Sequence, residues 1–429
     1  MKTDIVRFRA MLLSVLLAVL MVFTIPLGAY PIDGYEQTGI RRLEEQRLIA
    51  AGEIKGTRQP AGGLWLTPAV DIRLLARPDF ALPPVDAQLT EQIGALLGDK
   101  ADRYGVAVLD LSDPNQPAYA EYRGDYHQNV GSVGKLLAAL GFFQALADAY
   151  PDDLQQREEI MRNTVVTADR FAHTDHHSIR LFDVDTRTLV RRPMADGDTG
   201  NLWEYLDWTL SVSSNSAAAM TMRDTMLLRQ FGTDYPIADA QITPFFDGAP
   251  AAAKTALFQA AFWAPVTDNN MSLNDIRQGS FFTREGKRLV AGGGLSYATA
   301  RSLMQYLLQM EKGELVDAWS SRALKRLLYM TERRIRYASS PALRNAALYF
   351  KSGSLYSCQA EEGFKCGKYK GNKRNFMNSI AIVEEDADGK RLHYIVTLVS
   401  NVLRENSAVA HQSLGTRIHQ LIKQRNGVN

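Results

Sequence analysis

Ser132 and Lys135 stand three residues apart at the head of an apolar series, Val133, Leu136, Leu137, Leu140, Phe143 and Leu146, that recurs with helical spacing. A helix beginning at Ser132 puts that hydroxyl in the first turn, beside unpaired backbone N–H groups and the positive end of the dipole. Lys135 then lies one turn on, along the same side. A hydroxyl, an amine and a helix N-terminus are the parts of an activated serine nucleophile. The competing reading of the same four residues is a serine cap followed by a surface lysine. Two more polar clusters have ordinary readings when taken singly. Ser211-Val212-Ser213-Ser214-Asn215-Ser216 fits a turn between helices with capping serines. Phe350-Lys351-Ser352-Gly353-Ser354 falls in a strand pattern, where a glycine marks the close approach of another group to the backbone.

The elements that must position these residues are legible around them. A helix is expected over Val85–Leu97, a strand over Tyr104–Leu111 and its hairpin partner over Ala118–Tyr122. Helical patterns follow over Leu202–Leu210, Ala217–Leu228, Ser296–Glu311 and Ala318–Arg334. Three strands, Ala346–Ser357, Asn375–Glu385 and Leu392–Asn401, and a closing helix near Asn406–Lys423 end the chain, with Asp388-Gly389 as a tight turn. Strands at both ends around a helical middle predict an α+β protein: a five-stranded antiparallel sheet built from both chain ends, with a helical subdomain at about 132–335 inserted into it. Residues 30–85 read as an irregular N-terminal extension to a domain spanning 86–429, with a short helical pattern over Gly39–Gly52 (Ile40, Leu43, Leu48, Ile49) and an extended stretch over Gly56–Pro84 broken by Pro60, Gly62, Gly63, Pro68, Pro78, Pro83 and Pro84.

In this order and on these elements, the three clusters together resemble the penicillin-recognising serine enzymes, the β-lactamases and D-alanyl-D-alanine peptidases. Their signature is S-x-x-K at a helix start, S-x-N between helices and K-T-G or K-S-G on a sheet strand. The counterparts here are Ser132–Lys135, Ser213–Asn215 and Lys351–Gly353. The likeness is greatest to the class A branch and extends over about residues 86–424. It implies a β-lactamase/transpeptidase-like fold and acyl-enzyme chemistry on a β-lactam or a D-alanyl peptide, without cofactor or metal. Ser132 would attack the amide carbonyl, Lys135 would take its proton, and Ser213 would pass a proton to the leaving nitrogen beside the Lys351 charge. The backbone N–H groups of Ser132 and Ser354 would hold the oxyanion, each donor contributing about 3 kcal/mol. Asn215, Ser352, Gly353 and Asn270 would bind substrate.

One position departs from the family pattern. Class A enzymes hydrolyse the acyl-enzyme with a glutamate in an E-x-x-L-N loop, and the matching stretch, Asn270-Met271-Ser272-Leu273-Asn274, has asparagine there. An amide orients water but does not remove its proton at neutral pH. The glutamates between the second and third motifs are Glu285, Glu311, Glu314 and Glu332, none in an L-N context. Rapid β-lactam turnover is therefore not expected, and a non-hydrolytic penicillin- or peptidoglycan-binding protein that retains the pocket is the alternative.

Other features bound the setting. With 429 residues, 46% hydrophobic and 22% charged, the chain can bury a large core, and a net charge of +2 without a basic run excludes a nucleic-acid partner. Lys2, Arg7 and Arg9 before the uncharged stretch Ala10–Tyr30 form the layout of a secretory signal over residues 1–29; uncleaved, the same stretch would be a membrane anchor. Export to the periplasm or beyond is expected. Cys358 and Cys366 make a candidate disulfide suited to such a compartment. The run Ala172-His173-Thr174-Asp175-His176-His177 contains metal-ligating residue types but no recognised metal spacing, and is read as a solvated loop near the cleft rim. Lys365–Arg374 is read as a solvated basic hairpin tip, and Trp203, Tyr205 and Trp208 as helix core.

Overall fold

The computed structural model describes residues 32–332 and 334–428; the expected export segment lies outside them. Five antiparallel strands form the main sheet in the order Ala118–Tyr122, Tyr104–Asp110, Lys390–Asn401, Arg374–Ala387, Ala347–Ser357. Tyr104 pairs with Ser400, and Ser352 with Ser379, so the two ends of the chain are stitched into one sheet. Alternation of side chains sorts the strands into two cores. Val106, Val108, Leu348, Phe350, Val396 and Leu398 face the helices Ala87–Leu97 and Ser407–Arg425. Ala107, Leu109, Tyr349, Ile380, Ile382 and Ile395 face the helical region inserted between the second and third strands. The turn Asp388-Gly389 has φ of 51° and 74°, the left-handed pair that suits a two-residue hairpin.

The predicted elements stand where the patterns put them, with three shifts, one of which is that the helix expected over Ala318–Arg334 ends at Tyr329. The helix expected from Ser132 is a 3-10 turn over Gly131–Gly134 before the α-helix Lys135–Ala149 begins. The helix expected from Ser296 starts at Ala300, because Tyr297–Ala298 pairs as a short strand with Ile276–Arg277. The extension is not a loose lead-in. Its helix Arg41–Ala51 and the stretch after it bury Ile40, Leu43, Val70 and Leu74 in the helical-side core. Arg42 forms a buried ion pair with Asp207 at 2.5 Å. Trp203, Tyr205 and Trp208 are core residues, as their helical spacing implies.

Candidate active site

The third motif lies on Ala347–Ser357, the edge strand of the sheet, whose free side faces the 3-10 turn of the first motif. The contact admits only glycine at 353. A Cβ there would stand 2.0 Å from the Val130 carbonyl oxygen and 2.7 Å from the Ser132 nitrogen. A Cβ on Gly131 would be 3.2 Å from the Ser354 nitrogen. The backbone nitrogens of Ser132 and Ser354 therefore lie on the two facing sides of this close contact.

Lys135 is fully buried, and its ammonium group gathers the first two motifs: Nζ donates to Ser132 Oγ at 3.2 Å, Ser213 O at 2.6 Å, Ser213 Oγ at 3.3 Å and Asn215 Oδ1 at 2.8 Å. Lys351 Nζ donates to Ser213 Oγ at 2.8 Å. The result is one hydrogen-bonded chain running Ser132, Lys135, Ser213, Lys351. Burial depresses the Lys135 amine from its ordinary 10.5 to about 7, with Asp175 the only opposing charge. Burial, then the charges of Lys135 and Arg336, hold the Lys351 amine well below its ordinary value.

These groups open onto a cavity of about 550 Å³ lined by Ser132, Ser213, Asn215, Lys351, Ser352, Gly353 and Ser354 together with residues that carry no motif. Arg336 is buried and donates from Nη1 to Ser352 Oγ and from Nη2 to Ser354 Oγ, both at 2.9 Å. Its guanidinium stacks 4.7 Å from the ring of Tyr369. Tyr369 and Lys368 reach the cavity wall, so the stretch read as a solvated tip is partly inside the site. The Cys358–Cys366 disulfide closes the base of that loop, and Glu361 ties it to Arg404. Ser213, Arg336 and Tyr369 all have positive φ, at 65°, 56° and 62°. Three strained non-glycine residues on one cavity wall are the kind of cost that functional sites carry. Among the described residues, none of those lining the cavity is a carboxylate, while Lys351, Arg336 and Lys368 make it cationic.

The histidine-rich run is also placed differently from expectation. His176 is 87% exposed, but the Asp175 side chain is only 1% exposed. Asp175 Oδ2 accepts from Ser214 Oγ at 3.0 Å and from the backbone nitrogens of Asn215 at 2.6 Å and Ser216 at 3.1 Å. It therefore caps the helix Asn215–Phe231 from a distant loop. Burial raises its carboxyl, but the hydrogen bond and charge of His177 and the backbone donors outweigh that and hold it well below the usual range.

Asn270 is not at the site. It is exposed in a left-handed turn, φ 55°, its N–H bonded to the Thr267 carbonyl, and it does not line the cavity. Short polar side chains tolerate this conformation, which accounts for an asparagine there. The neighbouring Asn269 is the buried one, tied to Gln144 of the helix Lys135–Ala149. Beside Lys135 stands Phe282 instead, its ring 5.0 Å from Nζ. Glu285 is bonded to Arg288, Glu311 lies in a separate buried cluster, Glu314 pairs with Lys312, and Glu332 pairs with Arg180 and Arg191. Arg336, Tyr369 and Asp175 are the site residues that the sequence patterns did not single out. None has a local signature, since Arg336 and Tyr369 reach the cavity from segments far along the chain and Asp175 acts through its bonds to His177 and to the helix at Asn215.

The sheet, the inserted helical region and this arrangement at their junction define a β-lactamase-like serine hydrolase fold. The chain belongs to the beta-lactamase enzyme family, whose model matches residues 88–421. It is similar to a solved PBP-A variant in an acyl-enzyme complex with penicillin G, at 14% identity, with 80% of this chain and 100% of that one covered and a TM-score of 0.47. It is also similar to the TLA-3 extended-spectrum beta-lactamase (14% identity, 78% and 98% covered, TM-score 0.48) and to a beta-lactamase from Sphaerobacter thermophilus (14%, 80% and 98%, 0.48). No curated protein matches the chain.

Proposed function

We propose that the protein forms an acyl-enzyme at Ser132 with β-lactam or D-alanyl-peptide amides. The observation that carries this reading is the unbroken chain from Ser132 Oγ through Lys135 and Ser213 to Lys351. A lysine titrating near 7 is neutral often enough at physiological pH to take the Ser132 proton as Oγ bonds to the carbonyl carbon. The two backbone N–H groups hold the developing oxyanion. Ser213, between the two amines, relays a proton to the departing nitrogen. Arg336, Ser352 and Ser354 offer a substrate carboxylate a charged fork. The apolar N-terminus and the disulfide support an exported protein that meets peptidoglycan fragments.

The position of Asn270 favours a second reading, a penicillin-binding protein that acylates without hydrolysis, because among the described residues no glutamate lines the cavity that holds Ser132. Intact mass spectrometry after adding benzylpenicillin tests both. A mass increase that is absent in Ser132→Ala supports acylation, decay of that adduct supports hydrolysis, and no adduct and no product rejects the proposal.

A further inference from the structure

We propose that His177, oriented by Asp175, is the general base that activates water against the acyl-enzyme; the inference rests on the acyl-enzyme reading above. His177 lines the same cavity as Ser132, Ser213 and Asn215. Its Nδ1 lies 2.6 Å from Asp175 Oδ1, and a carboxylate oxygen there requires Nδ1 to carry the proton. The lone pair is thereby fixed on Nε2, which no protein group among the described residues hydrogen-bonds. Asp175 cannot swing away, because its other oxygen is held by Ser214, Asn215 and Ser216 at the end of the helix carrying the second motif. A base oriented by a fixed acid, opening onto the same cavity as a hydroxyl nucleophile, has the parts that recur across serine hydrolases. The glutamate that the family pattern would supply is absent from the cavity wall, so this pair is the unclaimed proton acceptor there.

The balance of the step is simple. Water gives a proton to Nε2 as its oxygen bonds to the acyl carbon. The C–Oγ bond then breaks, and Oγ takes a proton from the Lys135 ammonium. The imidazolium loses its proton to solvent and Lys135 regains one, so the net change is hydrolysis of one ester. The charges facing His177 are Asp175 and His176 on its own loop and Lys135 from the nucleophile helix. Burial favours the neutral, basic imidazole and outweighs the opposing pull of Asp175.

The same three side chains, Asp175, His176 and His177, also lie close enough to hold a metal ion. Against that use, Nδ1 of His177 is committed to Asp175 and both carboxylate oxygens already accept several donors. The test follows the benzylpenicillin adduct by intact mass in the wild type and in His177→Asn, whose amide nitrogen can keep the bond to Asp175 while removing the base. The expected result is an adduct whose decay slows about 100-fold, with loss of the limb of the deacylation pH profile that rises with pH. An adduct that decays at the wild-type rate in His177→Asn, or one that never decays in the wild type, overturns the assignment of His177 and leaves acylation standing. No Ser132 adduct in the wild type overturns both. Decay that stops with EDTA and returns with zinc makes these residues metal ligands and also overturns the assignment.

Discussion

Two fully buried lysines, Lys135 and Lys325, show how one residue type is made reactive in one place and inert in another. Lys325 Nζ sits 2.6 Å from Glu311, 2.7 Å from Glu384 and 2.7 Å from the Asp71 carbonyl, over the face of Tyr349. Arg73 closes the cluster, pairing with Glu384 at 2.6 Å and giving its backbone N–H to Glu311. Burial raises the Glu311 carboxyl, but the charges and hydrogen bonds of Lys325 and His393 together more than reverse this and hold it at about 2. Lys135, by contrast, has hydroxyl, carbonyl and amide oxygens as its near partners, and no carboxylate in hydrogen-bond contact. Dipoles offset less of the desolvation of an ammonium group than paired charges do. Lys325 clamps the N-terminal extension to the sheet through its carboxylate partners; Lys135 is left able to exchange its proton.

The sharpest way to break this contrast is to remove each amine. Lys135→Met should lower the rate of Ser132 acylation by about 10³-fold, measured by adduct mass, with a smaller loss of stability than the other variant shows. Lys325→Met should destabilise the fold by about 3–5 kcal/mol, because it strands two buried carboxylates. Its acylation per folded molecule should stay at the wild-type value. Equal losses of stability in the two variants would erase the distinction between the clusters.

The same contrast predicts opposite pH limits. Between about 7 and 10.5 the unfolded chain carries a proton on Lys135 that the folded chain lacks, so unfolding free energy should rise with pH across that window. Lys351, also depressed, acts in the same direction. Glu311 is depressed from 4.5 to about 2, so its contribution is complete above 4.5 and lost as pH falls towards 2. Urea titrations across pH should show both limbs, with the alkaline rise reduced in Lys135→Met and the acid limb reduced in Lys325→Met.

A smaller effect separates charge from geometry within the reactive cluster. Arg336→Lys keeps a cation but loses the fork that spans Ser352 and Ser354. The apparent binding constant for benzylpenicillin should weaken about tenfold, or 1.4 kcal/mol, while the methyl ester of the same penicillin, lacking the carboxylate, reacts alike with both proteins.

What could be read from the sequence divides along the same line. Ser132, Lys135, Ser213, Asn215 and Lys351–Gly353 were legible because each sits at a fixed offset on an element whose periodicity shows in the chain, and the union of the two chain ends in one sheet followed from strands at both ends. His177, Arg336 and Tyr369 enter the cavity from segments whose paths depend on long-range contacts, such as the bond that the Asn215 N–H gives to Asp175. Lys325 and Glu384 carry no motif because a buried ion cluster needs only complementary charge, at any separation along the chain. The irregular look of residues 30–85 came from prolines and glycines that break helices, and gave no sign of the ion pairs at Arg42 and Arg73 that fasten the segment down.

Asn270 is where local spacing and folded geometry part company, and the smallest predicted effect decides between them. Alignment to an E-x-x-L-N loop puts a glutamate side chain at 270 over the acyl-enzyme, in which case Asn270→Glu would shorten the lifetime of the penicillin adduct. The fold puts residue 270 in an exposed turn, with Phe282 occupying the space beside Lys135. A carboxylate added at the turn is then solvated, exerts at most a screened influence on the amine, and has no path to the ester carbonyl. Asn270→Glu should therefore leave the decay of the adduct unchanged in a mass time course. Faster decay would mean that the turn reaches the nucleophile, and that the reactive lysine has a carboxylate within range after all.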